Sequence, residues 1–138
     1  MNDLIVLDTH ILLWSILQPE ELSQDIKHYI DSAQENNQLL LSSISLWEIA
    51  MLKFKKRINI YEPIKDFLES ISNINGLSIK DLSPEIVAES VLLLDDFHGD
   101  PADRIIVATT KVHGATLITK DQQILTWANL GHIKSLSA

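Results

Sequence analysis

A chain of 138 residues, 46% hydrophobic and 22% charged, is one domain's worth of globular sequence, which excludes a disordered tail or a fibrous repeat. The absence of cysteine removes disulfides, thiolate metal centres and a cysteine nucleophile together, and it fits a reducing compartment. A formal net charge of −8 argues against general affinity for phosphate backbones, unless many of the acids are gathered where a cation neutralises them.

Met1-Asn2-Asp3 lacks the positive start of a secretory signal, and Asp8, Thr9 and His10 interrupt the apolar run that follows. No stretch approaches the roughly 20 apolar residues of a membrane span, so the expectation is a cytoplasmic protein without membrane contact. Leu4-Ile5-Val6-Leu7 is an unbroken apolar run and predicts a strand buried on both faces. After Asp8, residues Ile11, Leu12 and Trp14 begin a helical pattern. Leu22, Ile26, Ile30 and Ala33 continue at helical spacing, with Ser23 as N-cap, until the polar Glu35-Asn36-Asn37.

Leu39-Leu40-Leu41 predicts the second buried strand. Ser45 then opens a helix through Leu46, Trp47, Ile49, Met51 and Phe54 into Lys55-Lys56-Arg57, and Pro63 starts another with Ile64, Phe67, Leu68 and Ile71 on one face. Gly76 precedes a short extended piece from Leu77 to Leu82. Ser83-Pro84 reads as a cap followed by proline at the first helical position, and that helix runs through Leu94. A loop, Asp95-Asp96-Phe97-His98-Gly99, leads to a second cap-then-proline pair, Asp100-Pro101. Its helix reaches about His113, with Gly114 as the stop. Ala115-Thr116-Leu117-Ile118-Thr119 predicts a third strand, a short helix begins near Asp121, and Ile133 to Leu136 suggest a last strand. Strands alternating with helices imply right-handed crossovers, hence an α/β three-layer sandwich whose mostly parallel sheet carries helices on both faces.

Ligands bind beyond the carboxyl ends of strands in such sheets. Asp8 ends the first strand, Asp121 lies just past Thr119, Glu48 sits in the first turn of the helix after the second strand, and Asp100 and Asp103 open the helix that feeds the third. Taken singly, each has an ordinary explanation. Ser45-x-x-Glu48 is a capping box, Asp100 and Asp121 are natural caps, Asp103 suits a helix dipole, and Asp8 is a turn residue. Taken jointly they repel, because two unit charges 4 Å apart cost roughly 4 kcal/mol at an effective dielectric of 20. Few cations accompany them in these segments: Arg104, Lys120 and His10. Mg²⁺ or Mn²⁺, held by carboxylates and water, answers that need, and phosphodiester hydrolysis is the reaction such ions serve.

Four segments, Leu7-Asp8-Thr9-His10, Ser45-Leu46-Trp47-Glu48-Ile49-Ala50, Asp100-Pro101-Ala102-Asp103-Arg104-Ile105-Ile106-Val107-Ala108-Thr109 and Leu117-Ile118-Thr119-Lys120-Asp121, resemble the PIN domain. In particular they resemble the VapC-type toxins of bacterial toxin–antitoxin pairs. The resemblance spans essentially all of residues 1–138 and implies a PIN-like fold. It also implies a Mg²⁺- or Mn²⁺-dependent endoribonuclease acting on an RNA substrate, a homodimer, and a cognate antitoxin that holds it inactive. The family's acids fall on Asp8, Glu48, Asp103 and Asp121. Asp100 is an extra acid beside Asp103, which is the favoured direct ligand of the two, and Thr119 is similar to the small hydroxyl residue that orients a ligand or water.

Lys53, Lys55, Lys56 and Arg57 form a basic patch that reads equally as a solvated helix end or as a contact for RNA or antitoxin. Arg104 fits a phosphate clamp or an ion pair. His10 and His98 carry no assigned role, since the acids suffice to activate water. Trp14, Trp47 and Phe54 read as core rather than as stacking surfaces, with part of that surface left for a dimer or antitoxin contact. Receiver and haloacid-dehalogenase-like domains share the strand-end acid but place a second acid beside it or two residues on, where Thr9 and His10 stand here. The rival from another class is a non-catalytic PIN-like protein-binding module, for which some of the acids would be replaced.

Overall fold

The computed structural model describes residues 3–93, 97 and 99–138. Leu94, Asp95, Asp96 and His98, which the sequence places at a helix end and in a loop, lie outside the described residues.

Five strands form one sheet: β1 (Ile5–Leu7), β2 (Leu39–Ser42), β3 (Leu77–Lys80), β4 (Thr116–Thr119) and β5 (Lys134–Ser137). Their spatial order is β3-β2-β1-β4-β5, and all four neighbour pairings are parallel. The expected "mostly parallel" sheet is therefore parallel throughout. Its centre is β1, whose three residues pair with Thr116, Leu117 and Ile118 of β4, while Ile5 and Val6 pair with Leu39 and Leu40 of β2.

Among the described residues seven α-helices accompany the strands: α1 (Thr9–Leu17), α2 (Gln24–Glu35), α3 (Ser43–Phe54), α4 (Ile64–Ser72), α5 (Pro84–Leu92), α6 (Pro101–Val112) and α7 (Gln122–Trp127). Because successive strand side chains point to opposite faces, the sheet feeds two cores. Ile5, Leu7, Leu39, Leu41 and Ile118 meet α1, α2 and α4 on one side through Ile11, Leu12, Ile26, Ile30, Phe67 and Ile71. Val6, Leu40 and Leu117 meet α5, α6 and α7 on the other through Ile86, Ile106, Val107 and Ile124. Burial on both faces is why β1, β2 and β4 are unbroken apolar runs.

The caps bear out the local reading at several helices. Ser23 Oγ accepts from Ile26 N, Ser83 Oγ from Ile86 N, and Asp100 Oδ1 from Asp103 N. Gly76, in the left-handed region at φ 86°, turns the chain into β3 directly against Gln34. A side chain there would put its Cβ 2.1 Å from the Gln34 carbonyl oxygen. One start differs from expectation. Helix α3 begins at Ser43 with Ser42 as its cap, Oγ accepting from Ile44 N, so Ser45 lies inside the helix and Glu48 in its second turn.

Candidate active site

The carboxyl edge of the sheet gathers acids from four separated segments. Asp8 follows the last residue of β1 and caps α1, its Oδ1 accepting from Thr9 N at 2.8 Å. Its own backbone N donates to Ile118 O at 3.0 Å, which locks the end of β1 to β4. Its second oxygen, Oδ2, accepts from Thr119 Oγ1 at 2.6 Å, and that same hydroxyl oxygen accepts from Asp121 N at 3.1 Å. One threonine at the end of β4 thus bridges Asp8 to the backbone of Asp121. Asp121 also caps α7, with Oδ1 accepting from Gln123 N and Ile124 N.

Glu48 reaches the same edge from α3. Its Oε1 lies 2.5 Å from Thr9 Oγ1, and Ser45 Oγ lies 2.8 Å from that hydroxyl. A hydroxyl has one proton, so Thr9 donates to the carboxylate and Ser45 donates back to Thr9. Both Thr9 and Ser45 are fully buried, which makes this a fixed arm holding Glu48 beside Asp8. Helix α6, packed against α3, brings the remaining pair. Glu48, Asp100 and Asp103 each offer a carboxylate oxygen within 4.8 Å of the others.

The electrostatics follow from this crowding. Burial pushes the Asp8 carboxyl up, and Asp121 adds to the rise, against the lowering by the Thr119 and Thr9 hydrogen bonds and by His10. Burial likewise raises Glu48, with Asp8 and Asp100 reinforcing it and the Thr9 bond and His10 opposing it. Asp103 is pushed up to about 7, first by burial and then by Asp100, Asp8, Asp121 and Glu48, so it feels every other member of the group. Neither of the ion pairs among the described residues, Lys65–Glu69 and Lys111–Glu89, involves a cluster acid. A half-buried, all-oxygen donor set with no ion-paired lysine or arginine fits a hard divalent cation.

Of the five expected acids, Glu48, Asp100 and Asp103 bring their oxygens together, while Asp8 and Asp121, linked through Thr119, lie near enough for their charges to act on Asp103. The ordinary explanations survive in part. Asp100 and Asp121 do cap their helices. The capping-box reading of Glu48 does not hold, because its helix opens earlier and its carboxylate bonds to Thr9 across the fold. Arg104 is half-buried with its Nε unpaired, and it forms no ion pair among the described residues.

Thr9 carries no role in the sequence reading, and Ser45 appears there only as a helix cap. The available signal was a buried-type hydroxyl directly after a strand-end acid. Two of the aromatic residues differ from expectation: Phe54 is 80% exposed and Trp47 58% exposed, whereas Trp14, half-buried, packs against the core as expected. Helix α3 is apolar almost all round, and Ile49 takes the inward position. At about 100° per residue, Trp47 then lies roughly 200° away and cannot also face the sheet.

Comparison with known proteins follows the same lines. The PIN domain family model matches residues 5–129. The chain is 33% identical over 120 residues to ribonuclease VapC22 of Mycobacterium tuberculosis (strain ATCC 25618 / H37Rv), covering 87% of this chain and 88% of that protein. Among solved structures it is similar in fold to DNA-bound VapBC from Salmonella typhimurium, with TM-score 0.70, 15% identity and 97% of each chain covered. VapBC2 from Rickettsia felis bound to a promoter DNA fragment matches with TM-score 0.69 at 18% identity, covering 97% of this chain and 98% of that one.

Proposed function

The chain belongs to the PIN domain family, and from that premise we propose that it is a divalent-metal-dependent endoribonuclease, the toxin of a toxin–antitoxin pair. One observation carries the reading: acids from four distant segments share one edge of the sheet, and among the described residues none of them is ion-paired to a lysine or arginine. Its support from similarity is the ribonuclease VapC22 relative and the VapBC folds.

Glu48, Asp100 and Asp103 would hold Mg²⁺ or Mn²⁺ from the α3–α6 side, and Asp8 and Asp121 from the strand ends. A cation bound there lowers the pKa of water and offsets charge developing on a phosphodiester. The protein's own contribution is positional. Thr119 and the Thr9 backbone fix both oxygens of Asp8, and the Ser45–Thr9 arm holds Glu48, so neither carboxylate needs to reorganise during turnover. Asp103, pushed up to about 7 by burial and the neighbouring acids, would hold a cation as its carboxylate.

We take residues 1–138 to act as a single domain. Exposed Val87 and Val91, one turn apart on α5, and exposed Trp47 and Phe54 on α3 supply apolar surface for a second copy and for an antitoxin. Among the described residues no helix is long and apolar enough to cross a membrane.

The test is cleavage of an end-labelled RNA by purified protein with Mn²⁺ and with EDTA. Metal-dependent cleavage that nearly disappears in Asp8→Asn, Glu48→Gln, Asp103→Asn and Asp121→Asn, with circular dichroism unchanged, is the expected result. Cleavage by Asp8→Asn at the wild-type rate sinks the reading, and metal binding without any cleavage favours the non-catalytic module.

A further inference from the structure

Beside the acid cluster lies a cavity of about 340 Å³ whose walls include His10, Trp14, Leu17, Gln18, Arg57 and Asn59. We propose that it is a nucleotide subsite in which a base of the RNA strand packs on the Trp14 indole and the adjoining phosphate meets Arg57. The inference rests on the ribonuclease reading and names where the substrate strand continues beyond the scissile bond.

Three observations support it. The first is continuity. His10 stands two residues past Asp8, and its charge reaches both Asp8 and Glu48. Lys120, the residue before Asp121, holds its Nζ 5.1 Å from the centre of the Trp14 ring. One wall of the cavity is therefore built on α1, the helix that Asp8 caps, with Lys120 beside its Trp14.

The second is charge. In a chain of net charge −8, none of the residues lining this cavity is acidic, and Arg57 is exposed within it. With Lys120 beside Trp14, this is a local reversal of the protein's overall sign, which favours a polyanion. The third is the mixed lining. The indole and Leu17 offer flat apolar area, while Gln18 and Asn59 offer amide donors and acceptors, a combination that suits the faces and edges of a nucleobase.

Trp14 packs against the edge of the core and keeps part of its indole open to the cavity. Ile11, Leu12 and Leu13 are buried, whereas Trp14 is half-buried, with its ring edge-on to His10 at 6.3 Å between centroids. An aromatic ring propped between a histidine and a lysine resembles the platforms on which single-stranded bases stack, where a cation adds to ring–ring contact.

The experiment measures binding apart from cleavage. In an Asp8→Asn background, a fluorescein-labelled single-stranded decaribonucleotide is titrated with protein by fluorescence anisotropy at several KCl concentrations. Trp14→Ala weakens binding by at least about fivefold, the lower bound for loss of one base–aromatic stack, and Trp14→Phe restores most of it. Arg57→Ala, at an exposed position, lowers the slope of log affinity against log salt by about 0.7, the value for one phosphate of a single strand. A folded Trp14→Ala protein that binds the RNA as tightly as its parent overturns the subsite. So does one that keeps RNA affinity while losing affinity for an acidic peptide, since the cavity is then a protein-binding cleft. Cleavage by the otherwise wild-type chain separates the two readings. Cleavage with no dependence on Trp14 refutes the subsite alone, and Trp14-dependent binding without cleavage refutes the nuclease alone.

Discussion

Replacing Asp103 by Asn removes one negative charge while keeping the side chain's shape, and it should stabilise the metal-free protein. Above pH 7 the wild-type Asp103 is ionised, since its proton affinity is centred at about 7. Its oxygen lies within 4.8 Å of oxygens from Glu48 and Asp100. Each such pair repels by roughly 3.5 kcal/mol at an effective dielectric of 20 and by roughly 0.9 kcal/mol in water. Asp103 is half-buried and Asp100 exposed, so solvent screening brings the two pairs together down to about 2 kcal/mol. In EDTA at pH 8 the variant therefore melts higher than wild type, by roughly 8 °C for a domain of this size.

The gain shrinks toward zero at pH 5. A carboxyl whose folded-state pKa is raised binds a proton more readily in the folded than in the unfolded chain. Metal-free wild type accordingly loses stability as pH climbs from near 4 to about 7, and levels off above that. Saturating Mn²⁺ reverses the order, because a ligand at a hundred times its Kd adds about 2.7 kcal/mol to a protein that binds it, and the variant lacks one donor. Differential scanning fluorimetry at pH 5 and pH 8, with EDTA or Mn²⁺, reads all four conditions. Coincident melting of wild type and variant at pH 8 in EDTA would refute the reasoning, for the acids would then not be repelling one another.

Two further perturbations separate positioning from folding. Thr9→Val removes the hydroxyl that holds Glu48 and leaves Ser45 unpaired in a buried site. It should cost about 1–3 kcal/mol of stability and lower metal affinity by about 10–100-fold, measured by denaturant titration and calorimetry, with Thr9→Ser largely restoring both. Gly76→Ala forces a Cβ against the Gln34 carbonyl on the far side of the sheet from the acids. Stability should fall by roughly 2 kcal/mol or more while metal affinity in the folded protein stays unchanged, as melting curves and metal titrations on one sample would reveal.

The parts of this fold legible in the sequence were those dictated by local chemistry. β1, β2 and β4 announced themselves because burial on both faces demands uninterrupted apolar residues, and the Ser83-Pro84 and Asp100-Pro101 pairs marked their helix starts through cap chemistry. The edge strands were fainter. In β3, Ser78 is exposed, and in β5 only Leu136 offers apolar bulk, so neither carries a two-sided signal. The start of α3 was displaced because Ser42, Ser43 and Ser45 are chemically equivalent caps, and only the end of β2 decides among them. The acids were legible as strand-end and helix-start residues. Thr9 was fainter, because its partners Ser45 and Glu48 are 36 and 39 positions away and its only local mark is a hydroxyl placed directly after the strand-end acid. Trp47 and Phe54 are exposed against expectation because helical spacing identifies a face only when the other faces are polar, while Trp14 does pack on the core.

The hydrogen bond between Asp8 and Thr119 joins positions 111 apart, and the central strand that bears Asp8 is flanked by β4 only once that late segment has been made. A nascent chain emerging from the ribosome therefore carries Asp8, Glu48 and Asp103 in incomplete surroundings until β4 docks. Without β4 the Thr119 hydroxyl that holds Asp8 is missing, so the acid edge assembles only after that segment has been made.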